Sequence, residues 1–382
     1  MSKTLQDYAT LINDTIQSNE INHYITTDNM CQNLGGIDTF KNINIPQGKV
    51  RSFQKDDILL SNIRLYFRKV YRAKQKGGCS SDVLVFRAKH IDSATLFAIL
   101  SSQIFTDYAC SGSQGSKMPR GNKTHMMNFK IPTINFTIAK IFNSIQNKIE
   151  NNHKINELLH KILELLYEQY FVRFDFLDEN NKPYQISGGK MKFSKELNRL
   201  IPNDFEVKTL GELTQLKVGN KNANHSSNQG KYPFFTCSNN PLKCETYQFE
   251  GKHIIISGNG NFYVTHYDGK FDAYQRTYVV NPNNPNHYVL IYLFVKSYTN
   301  YLKLQSRGSI IKFITKSDIE NIKIVLPNLK IYTKWNNVLK MIENNMQSTQ
   351  TLTALRDFLL PLLLKQQVKP QRKILEQNFF KG

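Results

Sequence analysis

Three short segments come close to the spacing of known catalytic motifs, but each lacks a residue that its chemistry requires. Segment 281–284 (Asn-Pro-Asn-Asn) resembles an amino-methyltransferase motif without its second proline and aromatic residue, and Gly258-Asn259-Gly260 begins a dinucleotide fingerprint without its third glycine. Segment 206–208 (Glu-Val-Lys) matches part of a nuclease motif, but no well-spaced Pro-Asp precedes it and we expect it in a linker turn. A phosphate loop of the form GxxxxGKS or GxxxxGKT is absent from the sequence. We therefore predict no catalytic residues.

The five cysteines also fail to form a recognisable chemical site. They occur at Cys31, Cys79, Cys110, Cys237 and Cys244, an odd number without a CxxC pair. This spacing argues against a disulfide framework and against a zinc site. We expect reduced, buried thiols and no metal.

Polar residues that could contact base edges follow the strand-like segments of the second half. Loops rich in Ser, Asn and Gly can present hydroxyl and amide groups, with Asn suited to adenine and Arg or Lys to guanine. The alternative interpretation is ordinary turn chemistry. The candidates for DNA contact are Lys221, Ser238, Asn239, Asn240, Ser257, Asn259, Asn261, Arg307, Ser309 and Lys312.

The first half carries candidates in two segments. Segment 62–69 mixes basic and aromatic side chains after a strand, as phosphate and groove contacts require, although a solvated basic strand edge would look the same. Segment 112–123 combines flexible glycine with basic donors. The candidates are Asn62, Arg64, Arg68, Lys69, Ser113, Gln114, Ser116, Lys117, Arg120 and Lys123.

These segments belong to an internal repeat of roughly 195 residues, which is too long for a solenoid and indicates a duplicated domain with its connector. The most exact match is Ile149-Glu150-Asn151-Asn152 with Ile342-Glu343-Asn344-Asn345. Segments 113–116 and 306–309, 57–61 and 253–257, 131–133 and 326–328, and 3–5 and 208–210 match in the same order. Each half therefore consists of a β-rich block followed by a long helix, and segments 187–190 and 201–204 mark the junction.

The two long helices are predicted at Ile134–Phe171 and Tyr332–Leu360 from apolar residues spaced by threes and fours. If the two helices paired antiparallel, both apolar stripes would be buried. The simpler alternative is that each amphipathic helix packs on a separate core. Buried Asn near the middle would fix the register, although exposed Asn would merely interrupt the packing. The predicted stripes are Ile138, Ile141, Ile145, Ile155, Leu158, Ile162 and Leu165 in the first helix, and Trp335, Val338, Ile342, Leu352, Leu355 and Leu359 in the second.

The predicted fold is α+β, with two pseudo-repeated β-rich recognition domains separated by two long helices that form an antiparallel coiled coil. A chain of 382 residues exceeds the usual size of one core. We assign residues 1–132 to the first recognition domain, 133–207 to the first helix and linker, 208–327 to the second recognition domain, and 328–382 to the second helix and tail.

The net charge of +20 favours a polyanionic partner such as double-stranded DNA, although an AT-rich genome would also enrich lysine. The first thirty residues contain no apolar signal region, and the sequence has no stretch of about 18 uncharged apolar residues. We expect a cytoplasmic location and no membrane partner.

A resemblance to a known family rests on segments 230–240, 251–261 and 306–309 and on the junction residues 186–191, 201–207 and 210–212. With these segments, the chain resembles the specificity subunits of type I restriction-modification enzymes over essentially its whole length. The resemblance implies a non-catalytic subunit that recognises a bipartite DNA target and docks two modification (methyltransferase) subunits on its helices, with restriction (motor-nuclease) subunits added for cleavage. S-adenosylmethionine would bind the modification subunit, which methylates adenine at N6, and no cofactor would bind this chain. The first block departs most, since segment 23–34 lacks the Tyr-Pro-Phe form of the second. The alternative is a coiled-coil scaffold whose globular ends bind proteins.

Overall fold

The computed structural model describes residues 3–38, 41, 43–131, 133–178, 180–227, 229–327 and 333–364, without the side chains of 333 and 334. The chain divides into two compact units, one of residues 1–154 with 345–382 and one of residues 155–344. The predicted boundary residue Pro132, the predicted helix start Tyr332, Asn328 and the tail 365–382 lie outside the described residues. The division into residues 1–132, 133–207, 208–327 and 328–382 stays a prediction. The two compact units do not test it, because each of them combines a globular block with parts of both long helices.

The first unit contains two four-stranded sheets, of order β1-β8-β5-β6 and β2-β4-β7-β3. Its core packs the first sheet against α2, α3 and α4 through Leu60, Phe86 and Phe97. Its helices are α1 (Leu5–Tyr8), α2 (Ser93–Leu100), α3 (Gln103–Ser111) and α4 (Lys123–Met127). Its strands are β1 (Ala9–Ile12), β2 (Thr15–Gln17), β3 (Tyr24–Ile25), β4 (Lys49–Phe53), β5 (Ile58–Ser61), β6 (Val70–Arg72), β7 (Gly77–Cys79) and β8 (Val83–Ala88).

The second unit contains a four-stranded sheet β12-β18-β15-β16, a three-stranded sheet β14-β13-β17 and two two-stranded sheets. Its helices are α6 (Leu210–Leu213), α7 (Tyr288–Ser297), α8 (Thr299–Gln305) and α9 (Lys316–Glu320). Its strands are β9 (Met191–Ser194), β10 (Arg199–Pro202), β11 (Glu206–Thr209), β12 (Thr214–Val218), β13 (Tyr232–Phe235), β14 (Leu242–Cys244), β15 (Lys252–Ser257), β16 (Val264–Asp268), β17 (Asp272–Ala273), β18 (Thr277–Pro282) and β19 (Lys323–Leu326).

Segment 206–208 was expected in a linker turn, and that expectation is wrong. These residues lie in β11, which pairs antiparallel with β19 through Val207 opposite Val325. The strand is followed at once by α6, whose first turn carries a capping box between Thr209 and Glu212. The nuclease-like spacing therefore reflects a structural strand.

The two units repeat one topology, as the internal repeat predicts. Strands β1, β5, β6 and β8 have the same order and antiparallel pairing as β12, β15, β16 and β18. In both units a second sheet contains one parallel pair, β3 with β7 and β13 with β17. Strand β3, at Tyr24–Ile25, thus stands where β13 stands in the second unit, although its sequence lacks the Tyr-Pro-Phe form.

The long helices α5 (Phe136–Tyr167) and α10 (Thr333–Leu359) pair antiparallel within each unit. In the first unit, Asn152 Nδ2 donates to Thr349 Oγ1 at 3.1 Å and Arg356 Nη1 donates to Gln146 Oε1 at 3.1 Å. In the second unit, Asn156 Nδ2 donates to the Ile342 carbonyl at 3.2 Å. Since the α5 numbers rise as the α10 numbers fall, the two helices run in opposite directions, and the α+β fold class is confirmed.

The predicted seam is wrong for most of α5. Ile141, Ile155, Leu158, Ile162 and Leu165 are exposed. Several of the buried positions lie one residue away from a predicted one, whereas Ile145 was itself predicted, and Gln146, Glu150 and Asn152 are the polar residues among them. The buried positions are Ala139, Phe142, Ile145, Gln146, Ile149, Glu150, Asn152, Leu163 and Tyr167. Asn152 is buried near the middle, as a register-fixing Asn requires, whereas Asn151 is exposed.

Among the described residues, no helix combines the length and the apolarity that crossing a membrane requires.

Candidate nucleic-acid interface

In the first unit the two candidate segments form one continuous surface. The backbone N–H of Arg64 donates to the Pro119 carbonyl at 2.9 Å, and that of Gly121 donates to the Asn62 carbonyl at 3.1 Å. Arg64 Nη2 also donates to the Lys117 carbonyl at 3.2 Å. Segments 62–69 and 113–123 therefore present their side chains together, and we call them surface 1.

Within surface 1, the exposed side chains belong mainly to segment 113–123. Gln114, Ser116, Lys117, Arg120 and Lys123 are exposed. The loop closes between Gln114 and Arg120, whose backbones exchange hydrogen bonds of 2.9 and 2.8 Å, while Gly115 adopts a φ of +95°. Because a positive φ is costly for a side chain with a Cβ, glycine at this position keeps the loop tight. The segment can offer an amide, a hydroxyl and three cations to a polyanion.

Three candidates in segment 62–69 are held inward. Asn62 is buried, Arg68 Nη2 donates to the Ser101 carbonyl at 2.9 Å, and Lys69 Nζ donates to the Thr27 carbonyl at 2.5 Å. Burial lowers the pKa of the Arg68 guanidinium and of the Lys69 ammonium. These side chains shape surface 1 from within, and their direct contact with DNA stays a prediction.

In the second unit three candidate segments converge. The backbone N–H of Gly260 donates to the Lys312 carbonyl at 2.8 Å, and that of Ile314 donates to the Gly258 carbonyl at 2.9 Å. Ser257 Oγ donates to the Thr236 carbonyl at 3.5 Å. Segments 236–240, 257–261 and 306–313 thus form one surface, which we call surface 2.

Surface 2 exposes candidates from all three segments: Ser238, Asn239, Asn240, Asn261, Arg307, Ser309 and Lys312. Ser257 is buried, and Asn259 is partly buried, with its Oδ1 enclosed and without a hydrogen-bond partner in the described part of the chain. Arg307 Nη2 lies 3.0 Å from Asp318 Oδ1. Burial would raise the Asp318 pKa, but hydrogen bonds from Thr315 and the charge of Arg307 outweigh it, and the pKa is lowered.

The loops 114–120 and 307–313 are equivalent elements of the two units. Both contain a backbone bridge between their end residues, Gln114 with Arg120 and Arg307 with Phe313. Glycine with a φ near +95° follows the first residue in each, Gly115 at +95° and Gly308 at +98°. The scaffold is therefore conserved between the loops while most of the side chains they expose differ.

Arg276 was not among the predicted contact residues, and it is exposed at the edge of surface 2. Its carbonyl accepts the Gly258 N–H at 2.7 Å, just as the Asp82 carbonyl accepts the Asn62 N–H at 2.8 Å in the first unit. In the sequence, its position directly before the strand β18 is the feature that could have identified it as a contact residue. Lys221 lies close by in the backbone, since its carbonyl accepts the N–H of Gln275 at 2.9 Å.

The apolar tips of the equivalent loops were also missed. Met118 is 55% exposed in the first unit, and Ile310 and Ile311 are 94% and 61% exposed in the second. Each tip stands among cations, Lys117 and Arg120 or Arg307 and Lys312. Surfaces 1 and 2 therefore combine donors suited to phosphates, amides suited to base edges, and small apolar contacts suited to a groove.

Known proteins resemble this chain in sequence and in fold. Residues 202–355 match the family model of the type I restriction modification DNA specificity domain. The chain is 37% identical over 133 residues to the type I restriction enzyme EcoDI specificity subunit of Escherichia coli, an alignment that covers 34% of this chain and 29% of that protein. It is 24% identical over 301 residues to the MjaIX specificity subunit of Methanocaldococcus jannaschii, covering 70% of this chain and 67% of that protein.

A solved structure shares the fold at greater coverage. The S subunit of a type I restriction-modification system from M. genitalium superposes with a TM-score of 0.61 at 17% identity, covering 96% of both chains. Its low identity makes this a likeness of fold alone. The resemblance predicted from the sequence is confirmed: residues 202–355 match a type I restriction modification DNA specificity domain, and the chain is similar to type I restriction enzyme specificity subunits.

Proposed function

We propose that this chain supplies DNA sequence recognition to a type I restriction-modification enzyme, with surface 1 and surface 2 each contacting one half of a bipartite target. The observation that carries the proposal is the pair of equivalent loops at 114–120 and 307–313. A shared scaffold with different exposed side chains is what two readers of different half-sites require. The net charge of +20 adds the nonspecific attraction to phosphates that DNA-binding proteins use.

The chain itself would do no chemistry in this role. The methyl donor S-adenosylmethionine would bind a modification subunit, which would methylate adenine at N6. We propose two modification subunits because the recognition fold occurs twice in the chain. Restriction subunits would join the same assembly for cleavage.

The long helices are the proposed docking surface for the modification subunits. In the second unit, Ile155, Leu158, Ile162 and Leu165 of α5 are between 40% and 60% exposed. Apolar side chains at this spacing lie along one side of a helix, where a partner could bury them. The same residues that were predicted to form the helix–helix seam would then contact another chain.

DNA binding at several salt concentrations tests the proposal. The probe is a random-sequence duplex, and the protein is the full chain co-purified with a co-expressed modification subunit. Affinity should fall steeply as salt rises, and Lys312→Ala should reduce the slope of log affinity against log salt by about one. Lys195→Ala, an exposed lysine between β9 and β10, is the matched control and should leave the slope unchanged.

A coiled-coil scaffold with protein-binding ends gives a different result. It would show little affinity for the duplex and no salt slope, and Lys312→Ala would behave like Lys195→Ala. That outcome would remove DNA recognition from the account.

A further inference from the structure

Three potential metal ligands meet in the second unit. They are His225, Cys244 and Asp272, whose donor atoms all lie within 4.8 Å of one another. Asp272 and Cys244 are fully buried and His225 is partly exposed. The imidazole, thiolate and carboxylate groups are ligand types that Zn²⁺ accepts.

The sheet β14-β13-β17 brings two of these residues to one face. Cys244 pairs with Tyr232, and Asp272 pairs with Phe234 two residues further along β13. Since side chains alternate between the faces of a sheet, residues opposite Tyr232 and Phe234 point to the same side. The His225 ring joins them from the preceding turn, Ala223–His225, and rests edge-on against Phe234 at 5.3 Å between ring centroids.

The carboxylate of Asp272 is incompletely satisfied. His225 Nε2 lies 3.1 Å from its Oδ2, and Thr246 Oγ1 donates to the same oxygen at 2.7 Å. Its Oδ1 is buried and has no hydrogen-bond partner among the residues that the structure describes. A buried carboxylate oxygen without a partner is costly, and an unseen ion is one of the few ways to satisfy it.

Cys244 Sγ lies 3.2 Å from the Thr246 carbonyl and also faces the carbonyls of Tyr232 and Pro233 at 3.5 and 3.7 Å, so without an ion the protonated thiol donates to these oxygens. Burial and the nearby Asp272 carboxylate raise the pKa of the Cys244 thiol, while backbone N–H groups of Thr246 and Asp272 oppose the rise. A bound divalent cation reverses the first two effects, because it compensates the buried charge and deprotonates a coordinating thiol. The backbone N–H groups would then donate to the thiolate sulfur.

The distances suit zinc after a small adjustment. If all three donor separations were at the 4.8 Å limit, the point equidistant from the donors would lie about 2.8 Å from each. Zinc bonds to N, O and S ligands measure roughly 2.0–2.3 Å, so each donor would move inward by about half an ångström or more. Solvent, which reaches the site past His225, would complete the tetrahedral set.

We propose that His225, Cys244 and Asp272 bind a zinc ion that fastens the turn Ala223–His225 to the sheet β14-β13-β17. Cysteine spacing predicts only those zinc sites whose ligands are close in sequence, whereas these three ligands come from separate elements. The ion would hold in place the segment that carries Lys221, beside Arg276. The site is structural, and its existence does not depend on the proposed role in DNA recognition.

Metal content is the first measurement. The full chain, purified without a chelating column, should contain about one zinc per chain by mass spectrometry of the metal. Cobalt should replace it and produce the absorption band of a cobalt–thiolate bond, which identifies sulfur as a ligand. Cys244→Ser should lose this band and bind zinc at least tenfold more weakly.

Cys237→Ser is the matched control. Cys237 is a half-buried cysteine of the same unit whose Sγ lies 3.7 Å from the Arg276 carbonyl, and it is not a member of the cluster. Asp272→Asn serves as a second ligand variant, and fluorescence of the single tryptophan, Trp335, reports whether the second unit of each variant is folded.

Thermal unfolding gives a readout of the structural role. Zinc at about a hundredfold excess over its dissociation constant should raise the melting temperature of a unit of this size by about 5 to 10 °C, and only when Cys244 is present. The proposal is overturned if the wild-type chain binds neither zinc nor cobalt, or if Cys237→Ser loses the metal as completely as Cys244→Ser. In either case His225, Thr246 and Asp272 form a hydrogen-bonded cluster around a protonated thiol.

Discussion

The polar contact between α5 and α10 in the first unit leads to a quantitative prediction about the stability of that unit. Arg356 is only 2% exposed, and its Nη1 donates to Gln146 Oε1 at 3.1 Å. Gln146 Nε2 in turn donates to the Leu34 carbonyl at 2.7 Å. Gln146→Leu removes one acceptor of a buried cation, which keeps its contact with Asp357 at 3.0 Å, and the donor to a buried carbonyl in one step.

The expected cost follows from these two losses. A hydrogen bond to a charged group contributes roughly 1.5–3 kcal/mol, and a buried carbonyl without a partner costs roughly 1–3 kcal/mol. We expect Gln146→Leu to lower the stability of the first unit by about 3 kcal/mol, a factor of roughly 150 in the opening equilibrium. Arg356→Met should cost less, and the double variant should be about 2 kcal/mol more stable than the sum of the two single effects.

Hydrogen exchange of the full chain measures this locally, because a chain of two units need not unfold in one step. Protection of the α5 and α10 amides near residues 146 and 356 should fall about 150-fold in Gln146→Leu. Gln347→Leu makes the same change at an exposed position of α10 and should alter stability by less than about 0.5 kcal/mol. Trp335 fluorescence should show an unchanged second unit.

Strict additivity would refute this reasoning. If the double variant loses the sum of the two single effects, Gln146 and Arg356 do not stabilise each other. The helix pairing would then depend on its other contacts, which include the hydrogen bonds from Asn152 to Thr349 and from Asn156 to Ile342.

Three further predictions concern the helices, a buried histidine and surface 2. Four residues inserted after Asn151 and four inserted after Thr349 should keep the two helices paired. Because each residue adds about 1.5 Å to a helix, the gap between the two halves of the DNA target should lengthen by nearly two base pairs. An active protein with an unchanged gap would contradict the role of the helices as a spacer. Burial lowers the pKa of His266 to about 3. As the pH falls, the unfolded chain therefore binds a proton at His266 before the folded chain does. The stability of the second unit should fall below pH 6.5 by up to about 1.4 kcal/mol per pH unit. Urea titrations followed by Trp335 should show a flatter pH profile in His266→Phe, and identical profiles would count against this assignment. Arg276→Ala should weaken DNA binding and lower its salt slope by about one, whereas an unaltered slope would exclude Arg276 from the interface.

The sequence predicted those features that depend on local chemistry or on the repeat. Turn residues and matched segments located the equivalent loops, and the long apolar periodicities located α5 and α10. The seam was missed because the buried contacts are made by Gln146, Asn152 and Arg356, which a search for apolar residues cannot detect. The exposed apolar stripe at Ile155 and Leu158 then looked like the seam.

Features that depend on pairing between distant strands could not be predicted. Strand β3 consists only of Tyr24 and Ile25, too short to show an alternating pattern, and its position follows from its parallel pairing with β7. Cys244 and Asp272 share a face only because β13 pairs with strands on both sides. No spacing along the chain encodes that meeting.

The most direct test of the account is the pattern of N6-methyladenine in DNA from cells that express this chain with its modification subunit. We expect a split motif with a constant gap, in which Asn239→Ala relaxes one half of the motif and Gln114→Ala relaxes only the other. A continuous motif, or a change in the same half from both substitutions, would contradict the proposal that the two units read separate half-sites.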